Sequence, residues 1–194
     1  MIAGSNTPSI AAQRQKAPAM TTPFEQVLAG FRLGESETLL KLDSLEDFAR
    51  AELALLAQVR RQLLILTPDL EPERFNADAF ADGLSALARR SRYSDVRILL
   101  AEPGVALRWG HKLLGLSRRL PSKLRIRQLH EDDMKQPEAW IVADNIGLLR
   151  RDSLKVYQGM LSAKSIPHAQ RATLRFEEMW NRAREIADFR EIRV

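Results

Sequence analysis

The stretch Pro137-Glu-Ala-Trp-Ile-Val-Ala-Asp-Asn-Ile-Gly-Leu-Leu-Arg-Arg151 decides how this chain is read. Two apolar runs, residues 139–142 and 146–149, flank Ala143, Asp144 and Asn145, whose side chains tolerate the positive backbone torsion of a tight hairpin turn. Trp140, Ile141, Val142, Ile146 and Leu149 are too apolar for a lone ribbon, so the hairpin is expected inside a sheet with covered faces.

Upstream of the hairpin, residues 62–67 and 96–101 are short and almost wholly apolar, closed by Pro68 and by Pro103-Gly104, the pattern of strands buried on both faces. Helical spacing of Leu45, Phe48, Leu55, Leu56 and Val59 predicts a helix over 45–61, started by the Asp43-Ser44 cap. A second helix is expected from Asn76 or Asp78 to Arg90, and a single basic amphipathic one over 105–120, ended by Pro121. Residues 124–129 alternate strictly and read as a strand near a sheet edge, and 131–133 as an acidic loop. A short strand at 38–42 precedes all of these. A loop over 152–167, a helix over 169–186 and a closing strand at 191–193 complete the series. This order argues for an α/β fold in which a mixed sheet carries helices on both faces.

The 194 residues fit one domain, placed at 35–194, behind a disordered tail over 1–34 that is rich in Ala, Ser, Thr and Pro. Met20 could serve as an alternative start. No apolar run matches a signal peptide or a membrane span, which makes the cytoplasm the default location. The absence of cysteine excludes a thiolate nucleophile, a disulfide scaffold and a cysteine-based zinc site. No two of the three histidines, His111, His130 and His168, stand at i, i+4, so neither a metal nor another cofactor is expected. With 30 Lys and Arg against 25 Asp and Glu, the chain carries +5, a balance that suits a phosphate-bearing partner.

The order of elements, the phrase Leu42-Asp-Ser-Leu-Glu-Asp-Phe48, the strand at 62–67, the hairpin and the final helix with Arg175-Phe-Glu-Glu-Met-Trp180 together resemble a phospholipase D-like half-domain. That family carries the signature His-x-Lys-x4-Asp on the hairpin. With Asp144 as the remnant of the motif, the His and Lys positions fall on Pro137 and Ala139; one residue earlier they fall on Gln136 and Glu138. The resemblance therefore implies the fold without its phosphodiesterase chemistry, and a second half across the motif face, here a homodimer. More narrowly, Gly110-His-Lys-Leu-Leu-Gly-Leu-Ser-Arg-Arg-Leu-Pro-Ser122 and Leu148-Leu-Arg-Arg151 are similar to an uncharacterised domain that follows an N-acetyltransferase domain in some bacterial proteins.

Loss of a nucleophile removes chemistry but need not remove binding. The candidate anion ligands are His111, Lys112, Arg118, Arg119, Arg150 and Arg151, because arginine forks suit phosphate oxygens and the fold is expected to bring these groups near the motif end of the sheet. The same residues also suit a solvated face, with Glu131, Asp132, Asp133 and Asp152 as counter-charges. Trp140 and Trp180 read as core, and Trp109 is open to either core packing or base stacking. Three functions stay in play: a catalytically silent module binding nucleic acid or another phosphate-bearing ligand, an accessory domain docking a protein such as an acetyltransferase, and an enzyme of unrecognised chemistry.

Overall fold

The computed structural model describes residues 23–37, 39–109, 111–135 and 138–186. In chain order these form α1 (Pro23–Ala29), β1 (Leu39–Leu42), α2 (Leu45–Gln58), β2 (Gln62–Thr67), α3 (Pro72–Phe75), α4 (Asp78–Arg90), β3 (Asp95–Leu100) and α5 (Gly104–Trp109). There follow α6 (Lys112–Arg119), β4 (Leu124–Gln128), α7 (Glu131–Met134), β5 (Ala139–Ala143), β6 (Gly147–Ser153), β7 (Gln158–Ser162), α8 (Ile166–Arg182) and β8 (Arg184–Glu185). The strands build one mixed sheet in the order β1-β7-β6-β5-β2-β3-β4-β8. Strands β2, β3 and β4 run parallel, and every other pairing is antiparallel.

Alternation along the strands divides the core in two. Leu63, Ile65, Val96, Ile98, Ile141 and Leu149 point to the side covered by α2, α4 and α6, whereas Leu64, Leu66, Leu99, Trp140 and Val142 point to α8. Helix α2 forms where it does because Ser44 accepts the Asp47 N–H at 3.1 Å and because Phe48, Ala51, Leu55 and Leu56 repeat on one stripe. Burying side chains of this size contributes about 1.5–3 kcal/mol each. Helix α8 packs Phe176, Met179 and Trp180 under the central strands, with Trp140 edge-on to Phe176 at 5.9 Å.

Several expectations are corrected. Residues 23–34 are not tail: α1 forms, and Phe31 is 2% exposed. The Gln58 side chain ties this segment to α2, accepting the Leu33 N–H at 2.8 Å and donating to the Phe31 carbonyl at 2.9 Å. Residues 1–22 and the strand expected at 191–193 lie outside the described residues. The helix expected over 105–120 is two helices, because His111 takes an extended conformation and caps α6. The acidic loop at 131–133 is one helical turn, α7, capped by His130. The loop expected over 152–167 contains β7, which joins β6 to β1. Gly159 on β7 is required, since a Cβ there would collide with the Arg150 carbonyl and sit 2.8 Å from the Phe48 ring. No helix among the described residues is long and apolar enough to cross a membrane.

Candidate anion-binding site

The parallel strands β2 and β3 finish at the end of the sheet where β5 begins, and the pairing of Ala139 with Arg151 places the close of β6 there too. This end holds the positions expected from sequence to correspond to the His and Lys of the signature. Pro137 and Gln136 lie outside the described residues; Ala139 is buried in β5, and Glu138 meets Arg175 at 3.2 Å. Beside them, between α8 and the β5–β6 hairpin, opens a depression of about 530 Å³ with Trp140 and Leu148 in its lining. Arg150 enters it from the sheet, while His168, Arg171 and Arg175 enter from α8. Spacings of three and four residues put those three on one stripe of the helix.

The charges in this depression are weakly held. Arg150 pairs with Asp152 at 2.8 Å, but both side chains are about half exposed. The Arg175–Glu138 pair is comparably open. His168 shares a hydrogen bond of 3.2 Å with the Ser165 hydroxyl, and Arg171 forms no ion pair among the described residues. An arriving anion can displace such exposed pairs at small cost. His168, Arg171 and Arg175 were not singled out as ligands from the sequence, although basic residue types at i, i+3 and i+7 of a helix were a readable signal.

The six ligands expected from sequence do not come together. Arg150 and Arg151 both touch the depression, but as neighbours on one strand they send their side chains to opposite faces, Arg150 to Asp152 and Arg151 to Glu71. The Arg151 side chain, 6% exposed, turns toward α2 and α3. There it donates to Glu71 at 2.6 Å and to the carbonyls of Ser153 and Leu154 at 2.8 and 3.1 Å. Glu71 also accepts from Arg74 at 3.1 Å and from the Tyr157 hydroxyl at 2.6 Å, and burial together with this bond pushes the Tyr157 phenol up to about 12. Arg74 in turn donates to buried Glu52. Arg151 is thus part of a packed charge network.

His111 and Lys112 open α6 while Arg118 and Arg119 close it, roughly 10 Å away along the helix axis. His111 accepts the Leu113 N–H on Nδ1 at 3.2 Å, and its ring is 6% exposed. Burial, aided by the adjacent Lys112, lowers its pKa to about 4, so at neutral pH it is an uncharged cap and not a cation facing phosphate. Lys112 pairs with Asp78 at 2.6 Å. Arg118 and Arg119 are exposed at the opposite end of the sheet from the depression. Arg97, Arg125 and Arg127 crowd the buried Trp180 ring at 5.4, 5.8 and 4.6 Å, which fixes Trp180 as core; the Trp109 side chain lies outside the described residues.

Asp144 also faces away from the depression. It sits at the hairpin tip with φ of 50°, followed by Asn145 at 60°, the torsions expected of those two residues. Its carboxylate accepts the backbone N–H groups of Arg60, Arg61 and Gln62 at 2.7, 2.8 and 2.9 Å. The residue expected from sequence as the motif remnant therefore joins the hairpin to the start of β2. Among the described residues no cluster of three or more His, Asp or Glu is placed to hold a metal ion.

The sheet, its strand order and the hairpin at its centre define a phospholipase D-like fold. Solved structures agree. The chain is similar to TrmBL2, an archaeal chromatin protein whose structure shows a novel mode of DNA binding, with TM-score 0.59 and 14% identity over 79% of this chain and 54% of that one. It is similar to Nuc, a phospholipase D family member from Salmonella typhimurium, with TM-score 0.57 and 13% identity over 77% of this chain and 97% of that one. It is also similar to NucT from Helicobacter pylori, with TM-score 0.55 and 13% identity over 77% of this chain and all of that one. At such identities the likeness is one of fold alone, and the chain spans about half of the archaeal protein. No curated protein matches it by sequence. The family described as a domain of unknown function (DUF7931) matches residues 44–192, and the chain belongs to that family.

Proposed function

We propose that this chain is a phospholipase D-like module that holds a phosphate-bearing ligand or nucleic acid without cleaving it, in the depression between α8 and the β5–β6 hairpin. The observation that carries this reading is the convergence of Arg150 from the sheet with His168, Arg171 and Arg175 from one stripe of α8. It places three arginines where α/β sheets take their ligands, beside the carboxyl ends of the parallel strands. Catalytic silence is argued from the signature positions. Pro137 with Ala139, or Gln136 with Glu138, supplies neither the histidine nucleophile nor the lysine cation of the signature. Fold likeness to a DNA-binding chromatin protein is compatible with this function.

The test is fluorescence anisotropy with a short labelled DNA duplex at about 50 mM salt, where phosphate contacts dominate affinity. Reversing Arg171→Glu with Arg175→Glu should weaken binding by about tenfold or more and flatten the salt slope by about 1.8, from roughly 0.9 per contact. Unchanged binding by this variant removes the depression as the site. Sustained turnover of bis-p-nitrophenyl phosphate by the wild type overturns silence. If neither DNA, RNA nor heparin binds, the module is instead an accessory domain for a protein partner such as an acetyltransferase.

A further inference from the structure

A different surface, at the amino-terminal end of the parallel strands, is more basic than the depression beside α8. Each helix that returns to this end finishes in arginine or is followed by it. Arg60 and Arg61 follow α2, Arg89 is in the last turn of α4 with Arg92 beyond it, and Arg119 ends α6. Cations at helix carboxyl ends have a stabilising role of their own, but Arg60, Arg61 and Arg92 lie beyond the helical turns that would use them. All five are exposed, and among the described residues none forms an ion pair with a carboxylate.

The acids nearby are already engaged. Asp144 is spent on three backbone amides, and Asp95 is held by Arg97 at 3.0 Å and by Arg125 at 2.7 Å. Little is left to neutralise the arginines internally. Two of them lie over an aromatic ring that the core does not use: Tyr93 is 56% exposed, with the guanidinium of Arg61 5.4 Å and that of Arg92 4.6 Å from its centroid, and Arg92 also donates to the Tyr93 hydroxyl. Arg60, Arg61 and Tyr93 line a depression of about 560 Å³ together with Asp95 and the hairpin tip at Asp144 and Asn145.

We propose that this end of the sheet binds single-stranded nucleic acid, with a base against Tyr93 and the backbone phosphates on Arg60, Arg61 and Arg92. The combination of an exposed ring, flanking arginines and a concave floor is what unpaired strands require, because every base has a face to stack and every linkage a charge to match. A duplex offers its phosphates but hides its base faces, so the ring would add nothing to duplex binding. The surface lies at the opposite end of the strands from Arg150, Arg171 and Arg175, and it goes beyond the function proposed above.

The experiment uses the full chain and a labelled oligothymidylate of about 16 nucleotides, near the upper site size of single-strand binders. Wild-type affinity should fall with salt at a logarithmic slope near −2, from three phosphates at about −0.7 each. The triple variant Arg60→Glu, Arg61→Glu, Arg92→Glu should lose at least about tenfold in affinity and most of that slope. Tyr93→Ala should lose about fivefold or more, while Tyr93→Phe, which keeps the ring, should bind as the wild type does. Introduced into an Arg171→Glu, Arg175→Glu background, which disables the depression beside α8, the triple reversal and Tyr93→Ala should cause the same losses of oligothymidylate affinity. Circular dichroism of each variant shows whether the fold persists, and the exposed positions predict that it does. Three results overturn the assignment: wild-type affinity that the triple variant retains, no further loss when the triple reversal is added to the Arg171 and Arg175 background, or Tyr93→Ala binding as tightly as the wild type.

Discussion

Asp144 and Gln62 hold each other by a reciprocal pair of hydrogen bonds: the Asp144 N–H donates to the Gln62 carbonyl at 2.9 Å, and the Gln62 N–H donates back to the Asp144 carboxylate at 2.9 Å. The same carboxylate takes the N–H groups of Arg60 and Arg61. Asp144→Ala should therefore cost about 2–4 kcal/mol, since three amides lose a charged acceptor and alanine is disfavoured at positive φ. Asp144→Asn keeps one acceptor and tolerates the torsion, so it should cost clearly less. Urea denaturation of the two variants checks the order, and equal stabilities would mean that the carboxylate does not anchor the hairpin.

Glu52 and Arg74 pose a second test. Both side chains are almost fully buried, burial pushes the Glu52 carboxyl above its ordinary range despite Arg74, and the carboxylates of Glu52 and Glu71 hold Arg74 charged. Removing one partner strands the other, so Glu52→Ala or Arg74→Ala should cost about 3–5 kcal/mol. The double variant Glu52→Leu, Arg74→Met should recover much of that loss, as apolar replacements of buried pairs often do. Denaturant midpoints that simply add across the two sites would show that the pair is not coupled.

The central sheet was legible in the sequence for a physical reason. Strands β2, β3 and β5 are buried on both faces, and such segments leave dense apolar runs bounded by proline, glycine or Asp-Asn. Strand β7 left no such mark. Of its five residues only Gly159 and Leu161 are buried, because the side away from α2 is partly open, so Gln158-Gly-Met-Leu-Ser162 reads as loop. The break before α6 was hidden because histidine is an unusual cap. The site was less legible than the fold. Counting Arg150 with Arg151 treated sequence neighbours as spatial ones, whereas a strand separates them and a helix stripe unites His168, Arg171 and Arg175.

His111 predicts a pH dependence. Its folded pKa of about 4 lies below the ordinary value of 6.5, so between these pH values the unfolded chain takes up a proton that the native chain refuses. Stability should thus be full above about pH 6.5 and fall as the solution is acidified toward pH 4, by up to about 3 kcal/mol from this group. His111→Asn keeps a capping acceptor and removes the titration. Its thermal midpoint should fall less between neutrality and pH 5 than that of the wild type. Parallel curves for the two proteins would assign the acid loss elsewhere.

The last prediction separates Arg150 from Arg151. Arg150 is paired with Asp152 on an open face, and its reversal to Glu should change stability by no more than about 0.5 kcal/mol, the range of exposed surface substitutions. Because it reaches into the depression beside α8, the same change should weaken polyanion binding there. Arg151 is the inverse case. Arg151→Glu would set a second carboxylate against Glu71 and abandon the carbonyls of Ser153 and Leu154, a loss of about 3–5 kcal/mol. Arg151→Met, which keeps the stem but not the charge, should still destabilise, since Glu71 loses one of its two cations. Measured by guanidinium denaturation for stability and by anisotropy well below the melting transition for binding, the two arginines should respond oppositely. If Arg150→Glu unfolds the protein while Arg151→Glu leaves it stable and weakens binding, the faces of β6 have been assigned the wrong way round, and the depression beside α8 is not the anion site.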